Sequence, residues 1–248
     1  MFADRLVLVT GASRGIGAAT AKLLAKHQAT VAVNYLNSEA AARKVVEDIV
    51  QAGGKAEAFK ADSRDEAQVN TMVTEITAKL GPIDTLVTNA SIGFPVVPFT
   101  DYKWSDFEAK LVGELKATFF CCKAVVPGMI ARKAGCIIAI SSSLSRQPGP
   151  GFCAHSTAKS GLDAFVKSLA LELGQFGIRA NVVAPGLTIT DATSWISESQ
   201  KDHMAGMVPM RRLGRPEDVA GAVLALASDA CGFVTGTYVP VSGGSLMP

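Results

Sequence analysis

The sequence predicts an α/β fold: a doubly wound, seven-stranded parallel sheet with helices on both faces. Three observations predict it. Short runs rich in Val and Ile alternate with helix-length segments along the whole chain. Those runs are mostly apolar on both faces, as parallel strands covered by helices must be. The 248 residues, 48% of them hydrophobic, suffice to bury one large core.

The strands are expected at 6–9, 30–34, 56–60, 85–88, 136–140, 179–183 and 238–241. Helices are expected at 15–26, 39–51, 66–80, 104–132, 154–175 and 216–228, with a break near Pro127 in the fourth. Right-handed crossovers distribute the helices over both sheet faces. No linker, low-complexity tract or internal repeat interrupts the pattern, so a single domain spanning 1–248 is expected. Residues 187–212 alone lack a clean periodicity. They follow the sixth strand, on the edge where such sheets bind ligands, and read as a mobile substrate lid.

Composition excludes several functions. A net charge of +2 gives no electrostatic case for nucleic acid or an acidic membrane surface. No apolar run is long enough to span a bilayer, and the start does not read as a signal peptide. Five cysteines without C-x-x-C pairing suggest reduced thiols and a cytoplasmic protein. The three histidines are scattered, so no metal site is expected.

Residues Thr10-Gly11-Ala12-Ser13-Arg14-Gly15-Ile16-Gly17 follow the first strand and open the first helix. Glycines there let the backbone approach a pyrophosphate, whose charge the helix N-terminus favours. The second strand ends Asn34-Tyr35-Leu36-Asn37-Ser38, without the carboxylate that usually holds an NAD ribose. Arg14 lies in the turn nearby, and a guanidinium suits a phosphate. The expected cofactor is therefore NADPH, with Arg14, Asn37 and Ser38 around its 2′-phosphate.

Together with Ala61-Asp62, Asn89-Ala90, Ser141–Ser143, the helix segment ending in Lys159, Asn181 through Pro185-Gly186, Thr190 and Gly243-Gly244, this turn gives the whole chain a resemblance. It resembles the single-domain, Rossmann-type short-chain dehydrogenases/reductases, and is most similar to 3-oxoacyl-carrier-protein reductases and fungal polyhydroxynaphthalene reductases. The resemblance implies a role for each matching position. Gly11, Ser13, Arg14, Gly15 and Ile16 would form the phosphate turn. Asp62 and Ser63 would meet the adenine edge, and Asn89 and Ala90 would line the adenosine ribose. Pro185, Gly186, Thr188 and Thr190 would hold the nicotinamide carboxamide and pyrophosphate. Ser142 would hydrogen-bond the substrate carbonyl. Lys159 would hold the nicotinamide ribose and supply positive charge to the proton donor.

The segment His155-Ser156-Thr157-Ala158-Lys159 departs from that pattern. The family carries a proton-donating tyrosine where this chain has His155. Imidazole is shorter than phenol by roughly a hydrogen-bond length, and the lysine one turn away disfavours imidazolium. Direct proton donation is thereby weakened, although a water can bridge the gap. Glu114 stands where the family has an asparagine that holds a water in the proton relay; it is expected to accept a hydrogen bond there, or to pair with Lys159 and cancel its field. Ser91 and Ser242 also replace a usual glycine and a usual acidic residue.

The candidate catalytic set is Ser142, His155, Lys159 and Glu114. The first reading is an NADPH-dependent reductase of a carbonyl or imine in a small apolar substrate, with altered proton delivery. Two others stay open: a non-redox cyclase or isomerase on the same scaffold, and a catalytically silent NADPH-binding protein. Phe94, Pro95, Phe152, Leu187, Trp195 and methionines 204, 207 and 210 are expected at the pocket edge. A homotetramer is the expected assembly.

Overall fold

Alternate residues of one strand point to opposite faces of a sheet, and this chain uses both. In the computed structural model, which describes residues 2–247, Leu6 and Leu8 enter one buried cluster while Val7 and Val9 enter the other. The seven strands are β1 (Leu6–Val9), β2 (Thr30–Tyr35), β3 (Lys55–Lys60), β4 (Ile83–Thr88), β5 (Gly135–Ile140), β6 (Ile178–Pro185) and β7 (Tyr238–Val241). They form one sheet in the order β3-β2-β1-β4-β5-β6-β7, and every pairing is parallel. This is the doubly wound α/β fold that the alternating pattern implies.

The helices are α1 (Gly15–Lys26), α2 (Glu39–Gln51), α3 (Glu66–Leu80), α4 (Trp104–Arg132), α5 (Cys153–Leu173), α6 (Glu198–Met207) and α7 (Pro216–Ala227). One core layer joins Val69, Met72, Cys121, Val125, Leu162 and Val166 from α3, α4 and α5 to the sheet. The opposite layer joins Leu24, Val45, Ile49, Val219 and Val223 from α1, α2 and α7. Strand order reverses between β1 and β4. The segments after these strands, the glycine turn and Asn89-Ala90, therefore face each other across the crevice where such sheets take ligands.

Two sequence expectations need correction. No break occurs near Pro127: α4 runs unbroken through it. Pro127 and Lys123, whose carbonyl loses its helical donor, both lie on the exposed side, where losing one helical bond costs least. The 187–212 segment is not patternless backbone, because it contains α6. That helix buries none of its residues, so it writes no apolar period into the sequence. Its signal was at the start instead, where Ser197 and Gln200 form a reciprocal cap. Elsewhere the element ends differ by one or two residues.

Candidate active site

The phosphate turn is built by hydrogen bonds that pin it to the neighbouring strand ends. Thr10 Oγ1 accepts from the backbone N–H of Asn89 at 2.9 Å and of Ala90 at 3.0 Å. The Asn89 amide donates to the carbonyls of Thr10 at 2.8 Å and Gly11 at 3.0 Å. Gly11 has φ +60°, and a Cβ there would lie 2.9 Å from Ala90 Cα, so no other residue fits without moving backbone. Asn34, to which the sequence assigns no role of its own, is buried; its Oδ1 accepts from Gly11 N at 3.2 Å and its amide donates to Ala61 O at 3.1 Å. A buried amide at a strand end is hard to tell from any other strand residue until its partners are known.

The N-terminus of α1 has no side-chain cap and no acidic residue in its first turn. Arg14, at the cap position, is exposed and makes no side-chain hydrogen bond or ion pair among the described residues. Gly15 lies beneath Thr190, whose methyl would be 3.5 Å from a Cβ at that position. Ser13 and Ile16 are half-buried beside it. Open N–H groups, positive-φ glycines and an unengaged guanidinium make a chemical fit for a dinucleotide pyrophosphate and phosphate. Asn37 and Ser38 follow β2, with Ser38 starting α2 and making no side-chain cap. The Asp62 carboxylate is held by Arg64 (Nε at 2.9 Å, Nη2 at 2.6 Å), which lowers its pKa below the usual carboxylate range; Ser63 beside it is buried. Pro185 ends β6, Gly186 N donates to Val241 O at 3.0 Å, and Thr188 Oγ1 donates to Gly186 O at 3.1 Å.

The reacting side is assembled where β5, α4 and α5 meet. Lys159 Nζ donates to Ile140 O at 2.6 Å and pairs with Glu114 Oε1 at 2.6 Å. Ser142 lies two residues beyond Ile140 in extended backbone, and its Oγ accepts from Leu144 N at 3.2 Å. The Tyr238 hydroxyl donates to Ser142 O at 3.1 Å, and Ser160 Oγ donates to Ser145 O at 2.7 Å, fastening this turn to β7 and α5.

Glu114 is 2% exposed, not on a solvated helix face. Its second oxygen pairs with Lys110 Nζ at 2.6 Å and accepts from Ser91 Oγ at 3.1 Å. Burial alone would raise the Glu114 carboxyl, but Lys159 and Lys110 hold it at about 2. Lys110 is fully buried, and burial pulls its ammonium down to about 8 against the attraction of Glu114. Lys110 escaped the sequence reading. The available signal was its i,i+4 spacing to Glu114, a spacing common on exposed helix faces as well.

His155 stacks on Phe94, with ring centroids 4.7 Å apart and planes 17° apart, and meets the edge of Phe152. Its Nδ1 is buried without a hydrogen-bond partner. Burial first, then Lys159 and Lys110, pull its pKa down to about 3, with Glu114 opposing. Glu114 thus meets Lys159 but does not cancel the field at His155, because Lys110 adds a second positive charge. Among the expected pocket-edge residues, Phe94 and Phe152 pack on His155, whereas Trp195, Met207 and Met210 are mostly exposed.

A dinucleotide-type cradle on a seven-stranded doubly wound sheet, with a lysine fixed beside the fifth strand, defines a class, and the chain belongs to the short-chain dehydrogenase/reductase family. The family model described as enoyl-(acyl carrier protein) reductase matches residues 11–245. The chain is 35% identical to a 3-oxoacyl-[acyl-carrier-protein] reductase of Staphylococcus epidermidis, over 98% of this chain and 100% of the relative. It is 38% identical to a 3-oxoacyl-[acyl-carrier-protein] reductase of Synechocystis, over 98% and 97%. An uncharacterized oxidoreductase of Escherichia coli is 38% identical, over 96% and 99%.

Proposed function

We propose that this chain binds NADPH and reduces a carbonyl or imine carbon in a small apolar substrate, with a water rather than His155 itself delivering the proton. The observation that carries the reading is the phosphate turn: positive-φ glycines, an uncapped helix start and an Arg14 without a side-chain partner among the described residues suit a dinucleotide phosphate. When bound, the dinucleotide supplies a hydride.

Each side chain then has a task. The Ser142 Oγ accepts from Leu144 N, so its own O–H is available to donate to the substrate oxygen. Lys159 spends two donors on Ile140 O and Glu114, which fixes the third for a ribose hydroxyl. His155 is neutral across the physiological range and can orient a water but carries no acidic proton of its own. Lys110, Lys159 and Glu114 sum to one positive charge. That balance suits a neutral carbonyl or imine that gains negative charge on reduction, rather than a preformed iminium cation. We place the substrate lid at 187–212 and read the protein as a single-domain subunit of a homotetramer.

Incubation with 4-deuterated NADPH and a panel of ketones and cyclic imines tests the reading. Deuterium in a product supports it. Conversion without loss of the reduced-nicotinamide absorbance moves the protein to the cyclase or isomerase reading, and no binding of NADPH by calorimetry rejects the cofactor.

A further inference from the structure

The Glu114 carboxylate is held by two ammoniums, of which only Lys159 lies on the same helix as His155. Lys110 spends its three N–H donors on Ile92 O at 2.8 Å, Ser91 Oγ at 3.0 Å and Glu114 Oε2 at 2.6 Å. No donor remains for a ligand, so Lys110 acts on the site through its neighbours. Those neighbours lead directly to the reacting position. Its ammonium is 5.0 Å from the centre of the Phe94 ring, and that ring stacks on His155.

We propose that Lys110 is a positioning residue: with Glu114 and Ser91 it forms a buried, charge-compensated clasp that pins the 91–94 segment, and with it Phe94, against His155, and leaves Lys159 as the one uncompensated charge of the site. Were Glu114 to face Lys159 alone, the two would cancel and the reacting side would be neutral. With Lys110 beneath it, Glu114 is already balanced and can hold Lys159 in place without extinguishing its charge. Ser91 closes the unit, accepting from Lys110 while donating to the same Glu114 oxygen. The consequence for reduction rests on the reading above; the clasp itself does not.

Glu114→Gln, Lys110→Met and the double variant K110M/E114Q test this by thermal unfolding and by NMR titration of His155. The charged groups facing His155 are Lys159 from its own helix and Lys110 and Glu114 from α4. E114Q leaves both Lys110 and Lys159 without their shared counter-charge and is expected to lower Tm by roughly 10 °C. K110M/E114Q is expected to recover more than half of that loss, since one of the two ammoniums that Glu114 balances leaves with it and the site returns to one net positive charge, Lys159 keeping its bond to Ile140 O. In K110M, His155 is expected to titrate about one unit higher than in the unaltered protein, and to fall back in the double variant. Additive Tm losses, or a His155 titration unmoved in K110M, overturn the proposal. If E114Q does not fold, a folded double variant supports the clasp and an unfolded one rejects it. Neither readout uses dinucleotide or turnover, so a protein inert with NADPH can still show the coupling.

Discussion

At the residue scale, the decisive feature is an imidazole that the site keeps neutral. Burial and two ammoniums depress His155 to about 3. Between that value and the free value near 6.5 the unfolded chain binds the extra proton, so stability falls as pH drops through this window. His155→Phe removes the linkage. Its stability relative to the unaltered protein is expected to grow by up to about 1.4 kcal/mol per pH unit on acidification from pH 6.5 to pH 4, measured by urea unfolding. On the proposed reading, supplying a phenol by His155→Tyr is expected to raise ketone reduction by about 10²-fold or more; an unchanged kcat means that acid delivery was not limiting. Arg14 carries a separate expectation. Without a side-chain partner among the described residues, its guanidinium is available to a 2′-phosphate, and Arg14→Ala is expected to weaken NADPH at least tenfold while leaving NADH affinity unchanged, read by calorimetry.

At the element scale, α6 is the least anchored helix, because it buries no residue and depends on its cap. Ser197→Ala removes the side-chain acceptor for Gln200 N and costs about 1 kcal/mol locally. Amide exchange across Glu198–Met207 is expected to quicken about fivefold, with global Tm unmoved. Uniform exchange rates before and after the change mean that the helix is held by something other than its cap. The element that carries most consequence is α4. One face of it supplies Cys121, Cys122, Val125 and Met129 to the core, and two to three turns earlier it supplies Glu114 and Lys110 to the site. The apolar part of this helix was legible as a long helical segment. The meaning of its buried charges was not, since i,i+4 Lys–Glu spacing on a solvated face looks the same in one dimension.

At the scale of the whole molecule, several large apolar side chains stay uncovered. Leu171 on α5 is 85% exposed, Phe119 on α4 is half exposed, and Phe233 before β7 is fully exposed. A tetramer that covers these surfaces is the expected state, and Leu171→Glu is expected to lower the mass seen by light scattering from four chains to fewer. A mass of one chain for the unaltered protein rejects the assembly. Among the described residues, no helix is long and apolar enough to cross a membrane, and all five cysteines are free thiols.

The sequence by itself determined the sheet, the order of most helices and the phosphate turn, because each is written in local signals: apolar runs of strand length, a glycine spacing between strand and helix, and turn residues at fixed offsets. It also marked positions 114, 142, 155 and 159 as the ones to watch. Only the tertiary structure decided what those positions do to one another. Lys110 and Asn34 gain their roles from contacts between segments that no single window contains, and the charge on His155 is set by depth and by two ammoniums from different helices. Electrostatic energy depends on distance and burial in three dimensions, and those are quantities that spacing along a chain does not encode.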